Sequence, residues 1–133
     1  MPCDPRPAGH SVITIKKNSE FVTIYKNGRR FTGKYLILYA REGKPGHNAI
    51  GVTASKKTGN SVRRNRLRRV VKENYRHMEV CLHVGFLFVF VVRARQDGYL
   101  PDFYDIGGDM KSLLSRAGAL DHQKWENLQK GAL

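Results

Sequence analysis

The alternation of apolar and polar positions changes period several times along the chain, and each change marks an element. In "NSEFVTIYKNG", Phe21, Ile24 and Tyr25 stand at i, i+3 and i+4. That spacing predicts a short amphipathic helix, which Asn18 or Ser19 can cap and Gly28 can end. "SVITI" (11–15) before it reads as a short extended piece, and residues 1–10, with three prolines, read as a flexible N-terminus. "KYLILYAR" (34–41) has a two-residue period. Leu36, Leu38 and Ala40 point one way and suit a core; Tyr35, Ile37, Tyr39 and Arg41 point the other and suit an exposed sheet face. "EGKPGHN" is a loop by its glycines and proline. "AIGVTAS" (49–55) is a second strand whose small residues permit close packing.

After the turn "KKTGN" (56–60) the period lengthens to that of a helix, from Ser61 to about Glu79. Leu67, Val70, Val71, Tyr75 and Met78 fall on its packing face. Arg64, Arg68, Lys72 and Arg76 recur at i, i+4, i+8 and i+12 as a basic ridge beside that face, with Asn65 and Arg69 just beyond. "GFLFVFVVRAR" (85–95) is apolar at both alternating sets, the mark of a strand inside a sheet. "YLPDFYDIGGDMKSLLSRAGAL" ends as a helix closed by Gly118, although Gly107-Gly108 obscures its start, since a glycine costs about 1 kcal/mol in a helix interior. Residues 121–133 show no definite pattern and are left as a tail of uncertain order. One domain over 11–120 accounts for the chain.

Charge narrows the function. The 133 residues carry a formal charge of +13. Residues 1–96 hold 20 Lys/Arg against 5 Asp/Glu, and residues 97–133 hold 4 against 6. A basic body of this kind fits a polyanionic partner. Nine of the 22 residues from Ser55 to Arg76 are Lys or Arg, and only Glu73 is acidic. Like charges at i, i+4 destabilise a helix by a few tenths of a kcal/mol per pair, so a merely solvated face would mix the signs. Arginine also binds phosphate bidentately and stacks on bases. Tyr35 and Tyr39 beside Lys34 and Arg41, with Phe21 and Tyr25 on the first helix, suit unpaired RNA bases better than duplex DNA. Phe21 fits a core equally well; Tyr39 fits the surface.

Other chemistries lack support. There is no G-x-x-x-x-G-K-[ST], G-x-G-x-x-G or H-E-x-x-H, so no nucleotide or small-molecule substrate is expected. His77, Cys81 and His83 make at most a partial zinc set, and Glu73 is expected to pair with Arg69 or His77. No catalytic residue and no direct metal ligand is assigned. Two cysteines in unrelated contexts fit a reducing compartment. "MPCDPRPAGH" has no apolar signal region, and "VGFLFVFVV" (84–92) is too short to cross a bilayer. The expected location is cytoplasmic, with no membrane partner.

"SKKTGNSVRRNRLRRVVKE" resembles the signature of the bacterial ribonuclease P protein component, whose hallmark is an Arg-Asn-Arg core. "EFVTIYKNGRRF", "YLILYAR", "AIGVTASK", "VFVVRAR" and "LLSRAGAL" extend the likeness in order over about residues 16–120. The resemblance implies an α/β (α+β) two-layer sandwich. Its mixed sheet carries helices and a left-handed βαβ crossover, as in the second domain of ribosomal protein S5. It also implies a subunit that assists a catalytic RNA in removing the 5′ leader from precursor tRNA. The RNA would hold the Mg²⁺ and do the chemistry, and the protein would lower the Mg²⁺ requirement. By position, Lys56, Lys57, Arg63, Arg64, Asn65, Arg66, Arg68, Arg69 and Lys72 would face the catalytic RNA. Phe21, Tyr25, Lys34, Ile37 and Tyr39 would form the cleft for the leader. The chain departs from the family at Gly107-Gly108, in "GFLFVF", which lacks an acidic residue often found there, and after Leu120. The alternative is a basic ribosomal or other structural RNA-binding protein without a processing role.

Overall fold

Leu36, Leu38 and Ala40 are buried along β2 (Leu36–Glu42), while Ile37, Tyr39 and Arg41 between them are half-buried, as the two-residue period requires. The computed structural model describes residues 12–43, 46–94 and 97–131; the N-terminal stretch 1–10 and Arg95 lie outside them. β2 pairs antiparallel with β1 (Arg29–Thr32) on one side and with β4 (Phe86–Val92) on the other. β3 (Ala49–Ala54) runs parallel to β4. The strand order β1-β2-β4-β3 puts the doubly apolar β4 inside the sheet. β1 has no counterpart in the sequence reading, because "RRFT" buries only part of Phe31 and leaves its other residues exposed. The piece before the first helix adds a single parallel bridge, Thr14 to Ile50, at the β3 edge.

One sheet face is covered by α2 (Ser61–Met78) and α3 (Phe103–Arg116). Leu67, Val71, Tyr75 and Met78 of α2 and Ile106, Met110, Leu113 and Leu114 of α3 pack there on Leu36, Leu38, Phe88 and Phe90. Each such side chain contributes about 1.5–3 kcal/mol by leaving water. Val70 is only partly buried, and the polar Asn74 takes a core place instead. Its Nδ2 donates to the carbonyls of Val70 at 3.1 Å and Phe103 at 3.0 Å, joining the two helices.

Gly107 and Gly108 do not interrupt α3. Asp102 accepts from the Asp105 N–H at 2.8 Å, and Asp105 accepts from the Asp102 N–H at 3.1 Å. This capping box fixes the helix start. A Cβ on Gly107 would stand 2.6 Å from Asn74 Oδ1, whereas one on Gly108 would meet nothing within 4 Å. Gly107 is thus the point where α2 and α3 approach. The Asp109 carboxylate accepts the backbone N–H groups of Lys34, Tyr35 and Leu36 at 2.9, 3.0 and 2.9 Å, tying the β1–β2 turn to α3.

The other sheet face carries α1 (Asn18–Asn27). Its cap position is Lys17, with no side-chain cap bond, so neither Asn18 nor Ser19 has the capping role the sequence suggested. Ile15, Ile24 and Val89 form a small core under it, with Phe21, Tyr39, Leu87 and Val91 partly buried around them. Within the tail whose order the sequence leaves open, His122–Gly131 form α4. The Asp121 N–H donates to the Cys81 carbonyl at 2.7 Å, and Asp121 Oδ1 accepts from the Lys124 N–H at 3.2 Å. No helix among the described residues is long and apolar enough to cross a membrane.

Candidate RNA-binding site

The aromatic part of the site lies where α1 leaves the sheet uncovered. Tyr25 meets Tyr39 edge-on with ring centroids 4.9 Å apart, and Phe21 lies 6.4 Å from Tyr25. Tyr25 is 37% exposed. Phe21 is half-buried, and its ring sits where a Cβ on Gly51 would be, 2.6 Å from Cε1. It therefore serves both readings, with one side against β3 and the other toward Tyr25. Ile37 shares the face of Tyr39, and its neighbours across the sheet are Val91 and, beyond it, Thr53. All three are half-buried and form a floor beside the tyrosines. Val91 and Thr53 were not among the residues assigned from sequence, although the two-residue period puts them on this face. Arg30 was also missed; it is exposed and directly opposite Tyr39 on β1.

Two residues expected on this face are elsewhere. Tyr35 is buried and belongs to the opposite core, because it precedes the regular strand and packs toward Tyr99, ring centroids 6.2 Å apart. Lys34 follows it: its Nζ lies over the Tyr35 ring at 5.3 Å, and its charge acts on Asp105 of α3. Lys34 is therefore no part of the cleft with Phe21, Tyr25, Ile37 and Tyr39.

The charged part is α2 with the 3₁₀ turn Lys56–Thr58 before it. Asn60 caps α2 by accepting from the Arg63 N–H at 2.9 Å. Helical spacing divides the cations into two flanks. Arg64, Arg68 and Lys72 run along the flank next to β3, where Arg68 Nη2 donates to the Ala54 carbonyl at 3.3 Å. Ala54 ends the strand that holds Thr53, so this guanidinium stands at the end of the half-buried floor. Asn65 Oδ1 accepts from Arg68 Nη1 at 3.1 Å, and Arg64 Nη2 lies 3.3 Å from Ser61 Oγ. Lys56, Lys57, Asn65, Arg66, Arg69 and Lys72 are exposed. The opposite flank, toward α3, holds Arg63, Glu73 and His77. Glu73 pairs with His77 at 3.3 Å. Arg63 turns to this flank rather than to the ridge: its Nη2 donates to the carbonyls of Gly98 at 2.8 Å and Tyr99 at 2.9 Å, which leaves its other donors for a partner. These partners, 35 and 36 residues away, leave no local signal in the sequence.

Asp102 and Asp105, at the start of α3, lie on that same side. Tyr99 donates its hydroxyl to Asp105, whose carboxylate raises the phenol pKa to about 12 and is itself held below its usual range by the bond. Among the described residues no group of three or more His, Cys, Asp and Glu could hold a metal ion. The described side chains thus form no Mg²⁺ cage of their own.

A family model described as Ribonuclease P matches residues 11–118. The ribonuclease P protein component of Clostridium perfringens is 35% identical over 120 residues, covering 85% of this chain and 94% of that protein. The one from Clostridium kluyveri is 38% identical over 109 residues, covering 80% and 96%. Among solved structures, the RNase P protein of Staphylococcus aureus superposes with a TM-score of 0.71 at 26% identity, covering 83% of this chain and 99% of that one. The RNase P protein of Thermotoga maritima gives 0.70 at 25% identity, covering 77% and 96%.

Proposed function

The chain belongs to the ribonuclease P protein family, and on that premise we propose that its aromatic cleft holds the 5′ leader of precursor tRNA while the α2 ridge docks on the catalytic RNA. It is the protein subunit of ribonuclease P, an RNA–protein endonuclease of tRNA processing. The observation that carries the division of labour is the Tyr25–Tyr39 pair, 4.9 Å apart, with Tyr25 exposed and Tyr39 half-buried, beside a floor that ends on Arg68. Aromatic faces accept unpaired bases of any sequence, and cations alongside follow the backbone. Duplex RNA would offer no bases to such a cleft.

On the other side of this division, Arg64, Arg68 and Lys72 with Lys56 and Lys57 meet phosphates of the catalytic RNA. Arg66 and Arg69 add charge on the outer surface of α2. Neutralising RNA phosphates reduces their mutual repulsion, so fewer cations are needed to hold two RNAs together. In this reading the RNA holds the Mg²⁺ ions and the protein lowers the concentration required. The setting is the cytoplasm, where both RNAs are handled.

Reconstitution at low Mg²⁺ tests this. The protein alone is expected to cleave nothing, and with a matching catalytic RNA it lowers the Mg²⁺ concentration that supports leader removal. An unchanged Mg²⁺ requirement would sink the proposal.

A further inference from the structure

We propose that the β1 edge of the sheet is a second phosphate-binding surface, which takes the leader strand as it leaves the cleft. This rests on the assignment of the leader to the cleft and extends it to residues outside the signature.

β1 is the outermost strand on the side away from β3 and α2. It carries Arg29 and Arg30, and the last turn of α3 brings Arg116 to it; all three are exposed. Arg29 and Arg116 flank one aromatic ring: their guanidinium carbons lie 5.5 and 5.9 Å from the Phe31 centroid. Arg29 donates to the Ala117 carbonyl and Arg116 to the Thr32 carbonyl, each at 2.8 Å. A guanidinium has five N–H donors, so each keeps most of its donors for another partner. The Arg30 side chain makes no hydrogen bond or ion pair with any described residue.

Arg29 and Arg116 repel each other across one ring, and among the described residues no carboxylate pairs with them or with Arg30. Asp109, the acidic residue of α3 tied to this turn, spends its carboxylate on the Lys34, Tyr35 and Leu36 amides. Carbonyl bonds and the ring hold Arg29 and Arg116 together, and Arg30 stands on the other face of the same strand, so the edge presents cations suited to an anion on both sides. The planar forks select phosphate. The position selects the strand: Arg30 is the cross-strand neighbour of Tyr39, about 4.8 Å away in the sheet. A chain stacked on Tyr39 therefore reaches Arg30 within about one nucleotide, with Arg29 and Arg116 just past the edge.

Binding of precursor tRNA to the reconstituted holoenzyme, measured across salt concentrations, tests the proposal. Arg30→Gln is the clean variant, since the Arg30 side chain has no partner to lose among the described residues; the triple Gln variant at 29, 30 and 116 is read beside it, with its folding checked by circular dichroism. Arg30→Gln is expected to lower the slope of log K against log salt by about 0.7 for a long leader. It should leave the slope unchanged for mature tRNA and for a leader cut to two nucleotides. Equal slope changes with mature tRNA would overturn the proposal by placing the edge on another RNA contact, and no change with the long leader would overturn it outright. Tyr39→Ala measured in parallel separates the two readings. If Tyr39→Ala discriminates by leader and Arg30→Gln does not, only the edge fails; if neither does, the cleft assignment fails with it.

Discussion

The Asn65 amide oxygen holds the Arg68 guanidinium at 3.1 Å, while the other terminal nitrogen of that guanidinium reaches the Ala54 carbonyl at 3.3 Å. The asparagine within "RRNRLRR" is thus the acceptor that aims one of its arginines at the end of the cleft floor. Arg68→Ala should weaken binding to the catalytic RNA by about 1–3 kcal/mol and flatten the salt dependence by about one phosphate. Asn65→Ala keeps the charge and loses only the aim, so its loss should be smaller and its salt slope near that of the wild type. Filter binding over a salt series compares the two.

Tyr39→Ala should weaken binding of leader-bearing substrate by about 1–3 kcal/mol, the usual worth of one stacked base, and leave mature tRNA untouched. Tyr39→Phe keeps the ring and should retain most of the affinity. Equal losses of both RNAs in the alanine variant would make Tyr39 a packing residue.

Two adjacent glycines should respond oppositely to the same change. Gly108→Ala adds a methyl to open space and should stabilise the fold by up to about 1 kcal/mol through helix propensity. Gly107→Ala puts a Cβ against Asn74, which cannot turn aside without releasing the Val70 and Phe103 carbonyls. That variant should lose about 1–2 kcal/mol, read as a lower urea midpoint at unchanged slope.

The Tyr99–Asp105 bond gives stability a pH dependence at both extremes. Asp105 has a lowered folded pKa, so its contribution is present above 3.8 and is lost as pH falls through the folded value. Tyr99 has a raised one, so its contribution is present below pH 10 and is lost as pH rises through about 12. The gap in Tm between wild type and Tyr99→Phe should therefore be widest between these limits and close beyond each. A gap that ignores pH would show that the pair adds nothing beyond ring packing.

The parts of the fold that sequence made legible are those where one period runs uninterrupted. β2, β4 and α2 each bury a set of residues that alternation or helical spacing selects, and Phe21, Tyr25, Ile37 and Tyr39 follow because α1 and β2 present those sets to each other. What stayed hidden depends on distant partners. Arg63 looks like its neighbours until Gly98 and Tyr99 come round to it. Lys34 and Tyr35 sit one step before the regular strand, where the amides are bound to Asp109 and the alternation does not hold. Gly107 reads as a helix breaker when its purpose is the approach of Asn74. α4 has a weak apolar pattern, Trp125 and Leu128 alone, and it is placed by Asp121 bonding to Cys81.

The three successive amides that converge on Asp109 make a concave cluster of donors of the kind that captures anions. In a protein whose partners are chains of phosphates, such a cluster left open would be a rival berth, competing with the cleft and the ridge for the same backbone. Asp109 occupies it permanently with a carboxylate from the chain itself. The turn before β2 is closed to RNA from within, and wrong registers of the leader lose one place to rest.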